Sequence, residues 1–230
     1  MRRIFIVFLC LCLVVLPVFG SGGPKYVALT FDDGPSGKYT RQLLQGLRRR
    51  SVKATFALCG YRMEQYPDLA QRIWEEGHEI ICHGFSHGDM RAMSRRELAA
   101  EIQAMEALLP PGCAVSFLRP PGGASSPSVV QVARARNLSI LSWSVDPRDW
   151  ATRDPWQVEK AVLDRVTDGD VILLHDMSDS SVQAALDIVD TLKERGFRFV
   201  TVSELARLRG CSLKAGVTYI AFPPREETVK

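Results

Sequence analysis

Tyr26-Val27-Ala28-Leu29-Thr30-Phe31-Asp32-Asp33-Gly34-Pro35 is the stretch whose reading decides the fold. Its first six residues read as a strand, Tyr26–Phe31, and Gly34-Pro35 reads as the turn that follows. Two adjacent carboxylates stand between them, at the strand's C-terminal end. Side by side they repel each other, so they need a cation nearby or one of them must hold a proton. An ordinary Asp-Gly-Pro turn is the plainer account of the same residues. The rest of the chain decides between the two.

From this strand onward, short apolar runs alternate with amphipathic stretches. Further strands are expected at Lys53–Leu58, Glu79–Ile81, Ser116–Leu118, Ser139–Val145, Asp170–Leu174 and Arg198–Thr201. Helices are expected at Thr40–Arg50, Tyr66–Glu76, Ser94–Leu109, Ser126–Arg136, Pro155–Thr167 and Ser181–Arg195. Ser94 and Glu97 form a capping box, and Gly77 and Gly196 stop helices at their C-terminal ends. Strict β–α alternation implies a parallel sheet, since parallel neighbours need a crossover connection. Ionisable residues follow five different strands: Asp32-Asp33, His83, Arg119, Asp146 with Asp149, and His175. An open sheet gathers its site at one switch point, whereas a barrel brings all its strand ends to one mouth, so a barrel is expected. Trp143, inside the fifth strand, and Trp74, inside a helix, read as core.

The chain has 230 residues, enough for one α/β barrel, with 46% hydrophobic and 24% charged residues. Two of the three units of its +3 net charge are Arg2 and Arg3; the remaining +1 gives no basis for binding nucleic acid. Residues 1–20 read as an export signal: Arg2-Arg3, the apolar run Ile4–Leu16, Pro17, and a cleavage point after Gly20. The alternative is an uncleaved anchor, the one circumstance in which a membrane contact is expected. A secreted or cell-surface location follows. Outside this leader lie Cys59, Cys82, Cys113 and Cys211, with no C-x-x-C. Cys59 with Cys82 is the first disulfide pairing to test, against buried free thiols. The stretch 211–230 reads as a loose C-terminal extension.

His83-Gly84-Phe85-Ser86-His87 places two imidazoles four residues apart. On a helical turn they share a face and are able to share a metal, and Asp33 offers a third ligand. Two histidines and one carboxylate leave a position open, as a catalytic centre needs. His78 precedes its strand and reads as structural. In order, TFDDGP, H-x-x-x-H, Arg119-Pro120-Pro121-Gly122-Gly123, Asp146-Pro147-Arg148-Asp149-Trp150 and Leu173-Leu174-His175 resemble the motifs of the polysaccharide deacetylases, the NodB-homology or carbohydrate esterase 4 family. The likeness runs from about Tyr26 to Arg207, and a deacetylase domain over residues 25–208 is expected.

The resemblance implies an α/β fold, a distorted (β/α)7 barrel in a single domain. It makes Asp33, His83 and His87 the metal ligands, Asp32 the catalytic base held by Arg119, and His175 the general acid oriented by Asp149. Trp150 and Leu173 would wall the acetyl pocket, and a backbone N–H near Gly122 would serve the oxyanion. A divalent metal would acidify the attacking water and polarise the acetyl carbonyl. Zinc suits the ligand set best, with cobalt, nickel and manganese as alternatives. The implied reaction removes N-acetyl groups from a GlcNAc-containing polysaccharide, peptidoglycan or chitin-like. Two alternatives stay open: an acetyl-ester hydrolase on a polysaccharide such as xylan, and an inactive carbohydrate-binding protein. No specific protein partner is implied. The chain departs from the family's usual pattern at Gly84, where Ser or Thr is common, and at Gly122-Gly123, where an aromatic residue often follows Arg-Pro-Pro.

Overall fold

A computed structural model describes residues 23–224, so the export signal and the last six residues of the tail lie outside the described residues. β1 (Lys25–Asp32) is the central strand. It pairs in parallel with β6 (Val171–His175) over residues 28–32, and on its other edge with β2 (Thr55–Leu58) over residues 30–32. β7 (Phe197–Phe199) pairs with residues 25–27 of β1. Beyond β2 the parallel sheet continues through β3 (Glu79–Cys82), β4 (Phe117–Leu118), β5 (Ser139–Leu141) and β8 (Thr218–Tyr219). The two ends of the sheet then meet. Val145 forms a parallel bridge with Ile172, and the Leu173 N–H donates to Val145 O at 2.9 Å. The curled sheet is the distorted barrel of a single α/β domain.

Alternation along β1 sorts its side chains by period two. Val27, Leu29 and Phe31 pack with Leu43, Leu44 and Leu47 of α1 (Gly37–Arg49) and Ile188, Val189 and Leu192 of α7 (Asp179–Glu194). Ala28 belongs to a second, smaller core with Ala57, Ile81, Phe117, Leu141 and Val171. α8 (Val202–Leu208) adds Val202, Leu205 and Ala206 to that core, and its first N–H donates to Thr55 Oγ1 at 3.0 Å.

The other crossovers are α2 (Gly60–Gln65), α3 (Pro67–Glu75), α4 (Arg95–Glu106), α5 (Pro127–Ala135) and α6 (Pro155–Leu163). The expected capping box forms: Ser94 Oγ accepts from the Glu97 N–H, and Glu97 Oε2 accepts from the Ser94 N–H. Gly77 and Gly196 take φ values of 76° and 83° just after α3 and α7, the left-handed conformation that ends a helix. No helix among the described residues is long and apolar enough to cross a membrane.

Several expectations need correction. The tail is not loose through residue 222: β8 joins the sheet, Phe222 is buried, and its ring stacks on Tyr219 at 5.5 Å. The Phe222 N–H donates to Gly169 O at 2.7 Å, so this segment covers the seam between β5 and the start of β6. The fifth strand ends at Leu141 rather than Val145, and Trp143, half-buried against the smaller core, also lines the barrel mouth. Trp74 is 36% exposed, on the outer face of α3. Cys59, Cys82, Cys113 and Cys211 are all free thiols. Cys82 pairs in register with Leu58, so Cys59, the next residue along, points to the opposite face and the two sulfurs do not meet.

Candidate active site

The strand ends deliver their polar residues to one place. Asp32 and Asp33 from β1, His83 and His87 after β3, Gly122 after β4, Trp143, Asp146 and Trp150 after β5, and Leu173 and His175 of β6 line a cavity of about 410 Å³. Arg119 and Asp149 are buried beside it. A second cavity of about 530 Å³ shares Asp33, Trp150 and His175, so the opening extends to both sides of these residues.

Asp33 is the hub of the first cluster. Its Oδ1 lies 2.9 Å from His87 Nε2 and 3.3 Å from His83 Nε2. Ligand atoms about 2.0–2.1 Å from a tetrahedral zinc-sized ion stand about 3.4 Å apart, a spacing the Asp33–His83 pair matches. His83 Nδ1 lies 2.6 Å from Arg119 O, to which it donates. That bond sets the orientation of the ring and turns Nε2 toward Asp33. Burial opposes ionisation of Asp33, but hydrogen bonds from His83 and His87 outweigh it and hold the carboxyl far below its ordinary range. The same contact raises His87. A carboxylate and two imidazoles are a donor set suited to a divalent cation.

The route to this geometry differs from the expected helical turn. Residues 83–89 form an irregular loop, and Gly84 and His87 have φ values of 80° and 60°. Asp33, at φ 71°, is left-handed too. Left-handed backbone in a non-glycine residue costs of order 1–3 kcal/mol and persists only where its surroundings dictate it. Two of the three expected ligands carry that strain. Sequence spacing alone did not reveal it, because i, i+4 spacing is equally available to a loop.

Cys59 was not anticipated here. Its sulfur and ligand atoms of Asp33 and His83 lie within 4.8 Å of one another. Burial raises the thiol far above its ordinary pKa, with the Asp33 and Asp32 charges adding to the effect. His87 is not a member of that group of three, although its Nε2 lies 2.9 Å from Asp33 Oδ1. Trp143 was also missed as a site residue, because the alternating stretch Ser139–Val145 read as one continuous strand.

Asp32 makes a different partnership. Arg119, fully buried, places Nη1 2.6 Å from Asp32 Oδ1 and 2.8 Å from Thr30 Oγ1, while Nη2 donates to Ser142 O at 3.0 Å. A buried guanidinium needs such a carboxylate, and the pairing fixes one oxygen of Asp32. The other oxygen lies 3.8 Å from His83 Nε2.

His175 is held from two sides by one carboxylate. Its backbone N–H donates to Asp149 Oδ2 and its Nδ1–H to Asp149 Oδ1, each at 2.8 Å. Nε2 is thereby left as the group free to exchange protons. Burial works against the imidazolium, but the Asp149 hydrogen bond and charge, with Asp32 and Asp33, raise the pKa to about 9. At the rim Trp150 is 61% exposed, with the Arg148 guanidinium 5.2 Å from its ring centre. Trp143 lies against Gly123, where a Cβ would come within 2.8 Å of its ring.

Fold and site together define a parallel α/β barrel with a carboxylate and two histidines gathered at its C-terminal mouth. The chain belongs to the polysaccharide deacetylase family, whose model, described as "Polysaccharide deacetylase", matches residues 20–141. It is similar to a peptidoglycan-N-acetylglucosamine deacetylase of Listeria monocytogenes, with 38% identity over 79% of this chain and 39% of the relative. It thus spans about two fifths of that relative's length. A peptidoglycan-N-acetylglucosamine deacetylase of Bacillus cereus is 36% identical over 80% of this chain and 90% of its own. Among solved structures, a family 4 acetyl xylan esterase from Clostridium thermocellum, in complex with a cobalt ion, superimposes with a TM-score of 0.81 at 33% identity. That match covers 86% of this chain and all of the other.

Proposed function

We propose that this protein is a divalent-metal-dependent deacetylase that removes N-acetyl groups from a GlcNAc-containing polysaccharide, peptidoglycan before chitin-like polymers. The observation that carries the reading is the pairing of two opposite proton carriers on one cavity: Asp32, fixed by Arg119, and His175, raised to about 9 beside Asp149. Amide hydrolysis needs both. The attacking water must lose a proton, and the amine leaves only after gaining one. The relatives named as peptidoglycan deacetylases support the choice of polymer.

Asp33, His83 and His87 would hold the metal, and zinc suits their two nitrogens and one oxygen best. A bound divalent cation supplies acidity to the attacking water and polarises the acetyl carbonyl. Asp32 accepts the water's proton while Arg119 keeps that carboxylate oriented. The backbone N–H of Gly122 serves the oxyanion as a donor. Leu173 and Trp150 wall the acetyl methyl. His175 then gives its Nε2 proton to the leaving nitrogen, and Asp149 holds the ring in the tautomer this requires.

The likeness to an acetyl xylan esterase favours a second reading, ester hydrolysis with the same groups. An alkoxide leaves with less help than an amine. His175→Ala is therefore expected to abolish amide cleavage and spare part of any ester cleavage. Acetate release measured over peptidoglycan, chitooligosaccharides and acetylated xylan with several divalent metals tests both. No acetate from any of the three would leave the inactive, carbohydrate-binding alternative. We further propose that residues 1–20 direct export to the cell surface, as an acceptor in the wall requires, and that residues 25–208 form the deacetylase unit.

A further inference from the structure

The loop from His83 to His87 has to hold two rings at fixed positions without regular secondary structure, so its backbone groups must find partners elsewhere. Its carbonyls are taken by the start of α2: the Gly60 and Tyr61 N–H groups donate to Gly84 O and Phe85 O, each at 3.0 Å. Its N–H groups face the other way. Gly84 N–H meets Cys82 Sγ at 3.4 Å, and the next two, of Phe85 and Ser86, both donate to a single carboxylate oxygen, Glu101 Oε2, at 2.9 and 2.8 Å.

Glu101 lies on α4, fifteen residues or more along the chain from the groups it binds. Among the described residues it forms no salt bridge, so its acceptor capacity is directed to this loop rather than to a cation. The loop also lies directly on it. A Cβ at Gly84 would come within 3.2 Å of Glu101 Oε2 and 2.7 Å of Met90 Cε, and Gly84 has φ 80°. A bare glycine lets the backbone approach the carboxylate this closely.

We propose that Glu101 is a positioning residue of the cation centre. Its carboxylate clamps the loop between His83 and His87 and so keeps both Nε2 atoms on Asp33 Oδ1, against the left-handed strain at His87. Glu101 touches neither substrate nor cation. The proposal rests on the reading of Asp33, His83 and His87 as cation ligands. Partners behind the ligands typically contribute 10- to 100-fold in metal affinity.

The test is Zn²⁺ affinity, measured by competition with a chromophoric chelator, alongside metal-free thermal unfolding. It uses the whole chain in wild type, His83→Ala, Glu101→Ala, Glu101→Gln and Gly84→Ala. Wild type is expected to bind one ion and His83→Ala to lose it. Glu101→Ala and Gly84→Ala should weaken binding by about 10- to 100-fold. Glu101→Gln should stay closer to wild type, because an amide oxygen still accepts both N–H groups. Zn²⁺ affinity at the wild-type level in Glu101→Ala, with a lower unfolding temperature, would make the residue merely structural and overturn the proposal. So would Glu101→Gln falling as far as Glu101→Ala. If Glu101→Ala does not fold, Glu101→Gln and Gly84→Ala decide: wild-type affinity in Gly84→Ala, or a 10- to 100-fold loss in Glu101→Gln, overturns the clamp. Equal, weak binding by wild type and His83→Ala would instead overturn the cation-site reading itself.

Discussion

His175 shows how much one neighbour can decide. Burial alone would push its pKa down, yet Asp149, which accepts from both its ring and its backbone, raises it to about 9 with help from the Asp32 and Asp33 charges. A raised histidine stays charged through neutrality, as an acid serving an amine must. The loss of kcat/KM on the alkaline side is therefore expected above the ordinary histidine range in wild type, and Asp149→Asn should move it to lower pH. A pH profile of kcat/KM checks this. Linkage has the same sign: the pair's contribution to stability is full below pH 6.5 and disappears as pH rises through about 9. At this scale most of the site was legible. Asp32 and His175 end their strands, Asp33 and Arg119 follow theirs directly, and β-strand registry carries them to the mouth. Trp143 was hidden because the alternation of Ser142, Trp143, Ser144 and Val145 continues the strand pattern past the point where pairing stops.

At the scale of elements, long amphipathic segments were readable and short ones were not. α2 and α8, of six and seven residues, are too short to show a helical period. α2 nevertheless matters to the centre, because its first two N–H groups hold the loop of His83 and His87. The contact depends on Gly60. A Cβ there would come within 2.3 Å of Phe85 Cδ2 and 3.1 Å of Phe85 Cα, so α2 would have to move off the loop. Gly60→Ala is expected to destabilise the fold by about 1–3 kcal/mol, the usual range for overpacking. Equilibrium urea unfolding measures that cost, and Zn²⁺ affinity should fall with it. The histidine spacing was itself legible, but its helical interpretation was not correct: left-handed residues at Gly84 and His87 bring the rings together from an irregular loop.

At the scale of the whole molecule, a segment beyond the last expected strand covers the seam where the barrel closes. The alternation of strands and helices predicted the barrel, but it said nothing of residues 211–222, whose mixed charge and prolines obscure two residues of pairing and one buried ring. Phe222→Ala is expected to cost about 3–5 kcal/mol, the range for losing a buried aromatic side chain. Denaturant unfolding would show it, with the site residues otherwise untouched. The closed barrel sets Asp32 and Asp33 side by side with separate partners, Arg119 for one and the two histidines for the other. That division of labour is the account's central claim, and Asp32→Asn tests it most directly. With peptidoglycan as substrate, the variant should release no acetate above background while binding Zn²⁺ as tightly as wild type. Full acetate release by Asp32→Asn, or loss of its metal together with its activity, would contradict the claim.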